Sequence, residues 1–107
     1  EEIKKRTVEF QRHCRAHQVL RMYIFGSSVT QKFSRQSSDV DLFVIVDEPD
    51  PFKRGELLLS LWDVLEGFFQ RRVDLLTDDS LRNPYLKKEI DKTKVLIYDR
   101  AEREISV

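Results

Sequence analysis

A single cysteine, Cys14, occurs among the 107 residues, so the chain can close no disulfide of its own. That excludes a cystine-stapled scaffold and fits a reducing compartment such as the cytoplasm. Net charge is equally lacking, because 19 lysines and arginines balance 19 aspartates and glutamates. Nothing in that balance selects a nucleic acid or an anionic membrane as partner. No apolar run approaches the roughly 20 residues of a membrane-crossing helix. The opening EEIKKR is too charged for a secretory signal. Internal repeats, linkers and low-complexity segments are also missing. What the chain does have is a 40% hydrophobic share in periodic blocks and a 36% charged share, the composition of a well-solvated exterior around one core. The expectation is one domain over 1–107, with the charged tail 100–107 loosely held.

Helical spacing opens the chain. Ile3, Thr7, Phe10, Cys14 and His17 follow one another at steps of four and three, predicting a helix from Glu1 to about His17 whose apolar stripe Val8 widens. Val19 to Phe25 predicts a first strand, with Leu20, Met22 and Ile24 on one side and Val19, Tyr23 and Phe25 on the other. After the break DEPDP, Asp50 as cap and Pro51 in the first turn predict a long helix to about Phe69. Phe52, Leu58, Leu59, Trp62, Leu65 and Phe69 form its expected apolar face, and Gly55 and Gly67 weaken it slightly. Arg72 to Thr77 predicts a third strand, followed by a turn over Thr77 to Asn83. Pro84 starts a short helix to about Lys92, with Leu86 and Ile90 facing the core, and Val95 to Tyr98 forms a last strand. This alternation predicts an α/β (α+β) fold, a small mixed sheet of about four strands backed by helices. The strand order stays open, and the long helix can serve as crossover between a parallel second and third strand.

The chain is organised around Tyr23 to Val46, YIFGSSVTQKFSRQSSDVDLFVIV. Gly26 ends the first strand where a β-carbon would obstruct close approach. Ser27 or Ser28 can cap a short helix to Gln31 or Phe33, leaving outward amides that suit an anion. A polar loop, Ser34 to Ser38, leads into a second strand. There Asp39 and Asp41 share one face, their α-carbons roughly 6.5–7 Å apart, while Val40, Leu42, Val44 and Val46 share the other. Two neighbouring carboxylates are costly unless a cation neutralises them. Hard oxygen ligands suit magnesium, and two ions roughly 3.5–4 Å apart can share such carboxylates. Asp74, in the apolar setting of the third strand, can complete a second ion's site. Gly26 and Ser27 would hold phosphate oxygens through backbone amides and the serine hydroxyl. Together these parts make a two-metal arrangement for in-line displacement at phosphorus.

This order, a Gly-Ser turn, a polar loop, S-D-V-D-L and a later V-D-L, resembles the nucleotidyltransferases of the DNA polymerase beta-like superfamily. It is closest to their minimal nucleotidyltransferase group, and the resemblance extends through the closing NPYLKKEIDKTKVLIYD. It implies that Gly26 and Ser27 touch the triphosphate of ATP or another NTP, and that Asp39, Asp41 and Asp74 are catalytic carboxylates binding two Mg2+ ions. It also implies transfer of a nucleoside monophosphate, AMP from ATP, to a hydroxyl. The acceptor expected from the group is a tyrosine of a HEPN-domain toxin, which the transfer inactivates in a toxin–antitoxin pair. Two features depart from the group's common pattern. Eleven residues, Ser28 to Ser38, separate Ser27 from Asp39 where about ten is usual, and Val29 to Phe33 offers no glycine.

Two other readings stay open: a non-catalytic module that neutralises its partner by contact, and transfer to a small molecule. The second is disfavoured because antibiotic-modifying relatives usually carry an extra helical domain. Templated polymerisation is not expected without a second lobe to grip nucleic acid, and an oligomer is compatible with the sequence. His13 and His17 have zinc-compatible spacing but no further ligands, so both are read as ordinary helix residues. Cys14 and Trp62 are read as core. Lys32 and Arg35 stand near the expected phosphates, and Arg71 and Arg72 flank the third strand. Tyr85 and Tyr98 are noted as tyrosines without an assigned role.

Overall fold

The computed structural model describes residues 2–26 and 39–101, and in these the elements alternate as the sequence predicts. The described helices are α1 (Glu2–Ala16), α2 (Pro51–Phe69) and α3 (Pro84–Thr93). The strands are β1 (Val19–Ile24), β2 (Val40–Val46), β3 (Val73–Leu76) and β4 (Val95–Asp99). A 3-10 helix over Asp78–Arg82 stands where a turn is expected. The strands form one mixed sheet in the order β3-β2-β1-β4. β1 runs antiparallel to both β2 and β4, whereas β2 and β3 are parallel. A parallel pair cannot be joined by a tight turn, and α2 supplies the crossover.

Local chemistry explains the ends of α2. The Asp50 carboxylate accepts from the Phe52 amide at 3.0 Å, and Pro51 occupies the first turn, where a missing N–H costs nothing. Gln70 closes the helix in a left-handed conformation, φ 56°. Asn83 likewise caps α3 by accepting from the amides of Tyr85 and Leu86.

Packing corrects four of the sequence expectations. In α1, Phe10 and Cys14 are buried but Val8 is 52% exposed, so Val8 lies outside the stripe it was expected to widen. In β1, a bulge between Val19 and Arg21 shifts the alternation, placing Val19 with Met22 and Ile24 rather than with Tyr23 and Phe25. In α2, the buried residues are Leu61 and Leu65, with Leu58, Phe68 and Phe69 packed beside them. Phe52 and Leu59, counted on the apolar face, are 82% and 70% exposed. At 100° per residue they lie opposite Leu61, so α2 carries apolar residues on two sides and only one side meets the sheet. Trp62 is also not core. It is half-exposed, and its indole N–H donates to the Val73 carbonyl at 2.6 Å.

The two sheet faces are covered unequally. α1 and α2 cover one, over a core that includes Cys14, Val19, Met22, Val40, Leu42, Leu61, Leu65 and Val73. On the other, α3 and the 3-10 helix cover Phe25, Phe43 and Ile90, flanked by Tyr23, Ile45, Leu76, Leu81 and Leu86. His17 ties α1 to α2. Its Nδ1–H donates to the His13 carbonyl at 2.8 Å, and its Nε2 is hydrogen-bonded with the Ser60 hydroxyl at 2.9 Å. With both ring nitrogens engaged, His17 is a structural residue. No described helix is long and apolar enough to cross a membrane.

Candidate active site

The carboxylates sit where β2 enters the sheet. The Val40 amide donates to the Arg72 carbonyl at 2.9 Å, opening the parallel ladder, and Asp41 and Asp74 are register partners one step further on. On the other side of β2, the Phe25 amide donates to the Asp41 carbonyl at 3.0 Å, which brings the end of β1 alongside. Three chain segments therefore meet at Asp41. Strand alternation places Asp39 and Asp41 on the face of Phe43 and Ile45, and Asp74 on that same face with Leu76.

Gly26 closes one flank. It adopts φ +69°, and a β-carbon there would lie 3.1 Å from Asp41 Oδ2. Glycine is thus required twice, for the left-handed turn and for the close approach. Its amide, expected from the sequence to meet phosphate, donates instead to Thr93 Oγ1 at 2.7 Å. The Thr93 hydroxyl in turn donates to the Glu89 carbonyl at 2.8 Å. Thr93 at the end of α3 therefore anchors the turn, and it was missed because its partner lies 67 residues away with no local pattern linking them. Ser27, Ser28, the predicted capped helix, Lys32 and Arg35 lie outside the described residues.

Asp41 is half-buried, whereas Asp39 and Asp74 are exposed. Burial pushes the Asp41 carboxyl above the usual aspartate range, and the charges of Asp74 and Asp39 push it further. The group is thus held in surroundings that disfavour its own ionisation. A divalent cation relieves this, and three carboxylates are a hard oxygen donor set of the kind magnesium takes. Among the described residues no trio of His, Cys, Asp or Glu side chains is drawn tightly enough together to enclose an ion. The three aspartates adjoin across the β2–β3 seam and repel one another. Cys14 plays no part, since burial raises its thiol to about 12.

Comparison with known proteins gives a consistent outcome. The family model described as polymerase beta, nucleotidyltransferase, matches residues 8–103. A putative protein adenylyltransferase of Methanocaldococcus jannaschii is 31% identical over 81 residues, covering 76% of this chain and 79% of the relative. Among solved structures, a toxin–antitoxin complex with AMP-PNP superposes with a TM-score of 0.60 at 21% identity, over 92% of this chain and 78% of that one. An MNT antitoxin in complex with a tri-AMPylated HEPN toxin of Shewanella oneidensis gives a TM-score of 0.52 at 19% identity, over 94% of this chain and 76% of that one.

Proposed function

The chain belongs to the polymerase beta nucleotidyltransferase family and is a nucleotidyltransferase, and from that premise we propose that it moves AMP from ATP to a tyrosine hydroxyl of a HEPN-domain toxin, acting as the toxin's antitoxin. The observation that carries this reading is the meeting of Asp39, Asp41 and Asp74 on one face beside a glycine whose α-carbon is bare toward Asp41. The name of the Methanocaldococcus relative supports adenylyl transfer to protein. The tri-AMPylated toxin bound by the Shewanella antitoxin supports the choice of acceptor.

Asp39 and Asp41 would hold one Mg2+ and, with Asp74, a second. When bound, these ions supply charge neutralisation on the phosphate oxygens and on the attacking and leaving oxygens. The chain's own residues supply position. Gly26 keeps the flank of Asp41 free of side-chain bulk, so a triphosphate can approach it, and Thr93 fixes the Gly26 backbone. Ser27 is the candidate hydroxyl donor to the phosphates. In the transfer, the tyrosine oxygen forms a bond to the α-phosphorus while the bond from that phosphorus to the α–β bridging oxygen breaks, releasing pyrophosphate. Asp74, exposed at the sheet edge, accepts the tyrosine proton directly or through water.

The test mixes purified protein, ATP labelled at the α-phosphate, Mg2+ and the HEPN partner. Label on a partner tyrosine, lost on Asp39→Ala or Asp41→Ala substitution, is the expected result. Full neutralisation of the toxin by the double variant, without label, would overturn catalysis in favour of neutralisation by contact.

A further inference from the structure

We propose that Trp62 and Glu66 are positioning residues that act on Asp74 through the backbone of Val73. This rests on the metal-binding role of Asp74 argued above. β3 lies at the edge of the sheet. In a parallel ladder, alternate residues of an edge strand turn their amide and carbonyl away from the neighbouring strand. Arg72 accepts from Val40, so Val73 is the residue whose polar groups face outward. Both are taken up by α2: the Trp62 indole N–H donates to the Val73 carbonyl at 2.6 Å, and the Val73 amide donates to Glu66 Oε2 at 3.0 Å.

Trp62 and Glu66 are one helical turn apart and therefore lie on one side of α2. They grip the amide and the carbonyl of the same residue, which removes the rotation of both peptide planes flanking it. The next α-carbon along is that of Asp74. Val73 itself is buried and its side chain contributes to the larger core, so an apolar anchor and two polar anchors hold one residue. Trp62 is 37% exposed and belongs to neither core cluster. Its N–H is the feature that no other apolar residue supplies. Glu66 offers an oxygen acceptor to an amide that the ladder leaves outward-facing. The edge strand is thereby fixed at the point where Asp74 must meet the carboxylates of β2.

Outer supports of metal ligands typically change metal affinity by about 10–100-fold. A support acting through the backbone belongs at the low end, about tenfold. The experiment titrates the full chain with Mn2+, following free ion by electron paramagnetic resonance, for the wild type and for Trp62→Phe, Glu66→Ala and Glu66→Gln. Hydrogen exchange at the Val73 amide is followed in parallel. Trp62→Phe keeps the ring and Glu66→Gln keeps an oxygen acceptor. The expected result is about tenfold weaker Mn2+ binding for Trp62→Phe and Glu66→Ala, with faster Val73 exchange in Glu66→Ala and near-complete rescue in Glu66→Gln. KM for ATP at saturating metal should stay at the wild-type value. Unchanged Mn2+ affinity despite faster Val73 exchange would overturn the inference while leaving the metal role standing. A wild type that binds no Mn2+ would overturn the metal role and the inference together.

Discussion

The two faces of the sheet are built from the same strands yet serve different ends. Under α1 and α2, each strand presents residues that pack without interruption, from Val19 and Met22 through Val40, Leu42 and Val44 to Val73 and Leu75. Under α3, the same strands alternate in the opposite sense, and among the described residues the buried cluster there is Phe25, Phe43 and Ile90. Asp39, Asp41 and Asp74 lie at one end of that thinner face, Asp39 and Asp74 exposed and Asp41 half-buried. A carboxylate on the thick face would be stranded in hydrocarbon, where a lone charge is prohibitively costly. Where Asp39 and Asp74 stand exposed and Asp41 half-buried, the cost is moderate and a cation can reach them. One face therefore supplies stability, and the other gives up part of its apolar area to hold charge.

Substitutions on each face should separate these roles. The largest effect is expected from Asp39→Ala or Asp41→Ala. Losing several kcal/mol of charge stabilisation corresponds to a fall of about a thousandfold in transfer rate, read from labelled AMP on the acceptor. The far-ultraviolet circular dichroism should be unchanged. Next comes Leu61→Ala on the thick face, where the side chain is fully buried. It should lower unfolding free energy by about 2–5 kcal/mol in urea titrations. The half-buried Leu86 on the thin face should lose less when cut to alanine.

A smaller effect should have the opposite sign. Asp41→Asn should raise the melting temperature near neutral pH in the presence of a chelator, and in a separate assay with Mg2+ it should abolish transfer. The folded-state pKa of Asp41 lies above its unfolded value, so the folded chain holds this proton more tightly. Its contribution is therefore most favourable below the usual aspartate range and declines as pH rises through that range to the raised value. The asparagine variant should lack this decline, and a parallel pH dependence in both proteins would show that Asp41 carries no such penalty. The smallest effect is expected at Asp91 on α3, whose carboxylate is held below the usual range by hydrogen bonds from Lys87 and Lys94. That contribution is present above the unfolded pKa and is lost as pH falls from there through the lower folded value. Asp91→Asn should therefore blunt acid destabilisation only slightly, since exposed pairs are weak.

Much of this architecture is legible in the sequence because its signals are local. Asp50-Pro51 and Asn83-Pro84 mark helix starts through one cap and one fixed φ each, and both helices begin there. The alternation V-D-L-F-V-I-V sets the faces of β2 without reference to any partner. The parts that escaped depend on distant chain. Leu61 and not Leu59 faces the sheet because the docking of α2 selects one of its two apolar sides. The Gly26 amide meets Thr93 because α3 ends beside it. Val19 changes sides because of a bulge in the β1–β2 pairing. Trp62 reads as core by composition, but its indole N–H finds a carbonyl on an edge strand that no periodicity marks.

The parallel pairing of β2 with β3 has a kinetic consequence. β1 and β2 are neighbours in sequence, so Gly26, Asp39 and Asp41 can assemble early from contacts of short loop length. Asp74 can join them only after the 19-residue helix α2 has formed and folded back across the sheet. Such non-local pairings are slow steps in folding. A chain still emerging from the ribosome would thus carry two of its three carboxylates in place and lack the third. On the metal-binding role proposed for the three aspartates, acquisition of Mn2+ binding in a refolding time course should coincide with the last phase of structure formation, and would serve as its reporter.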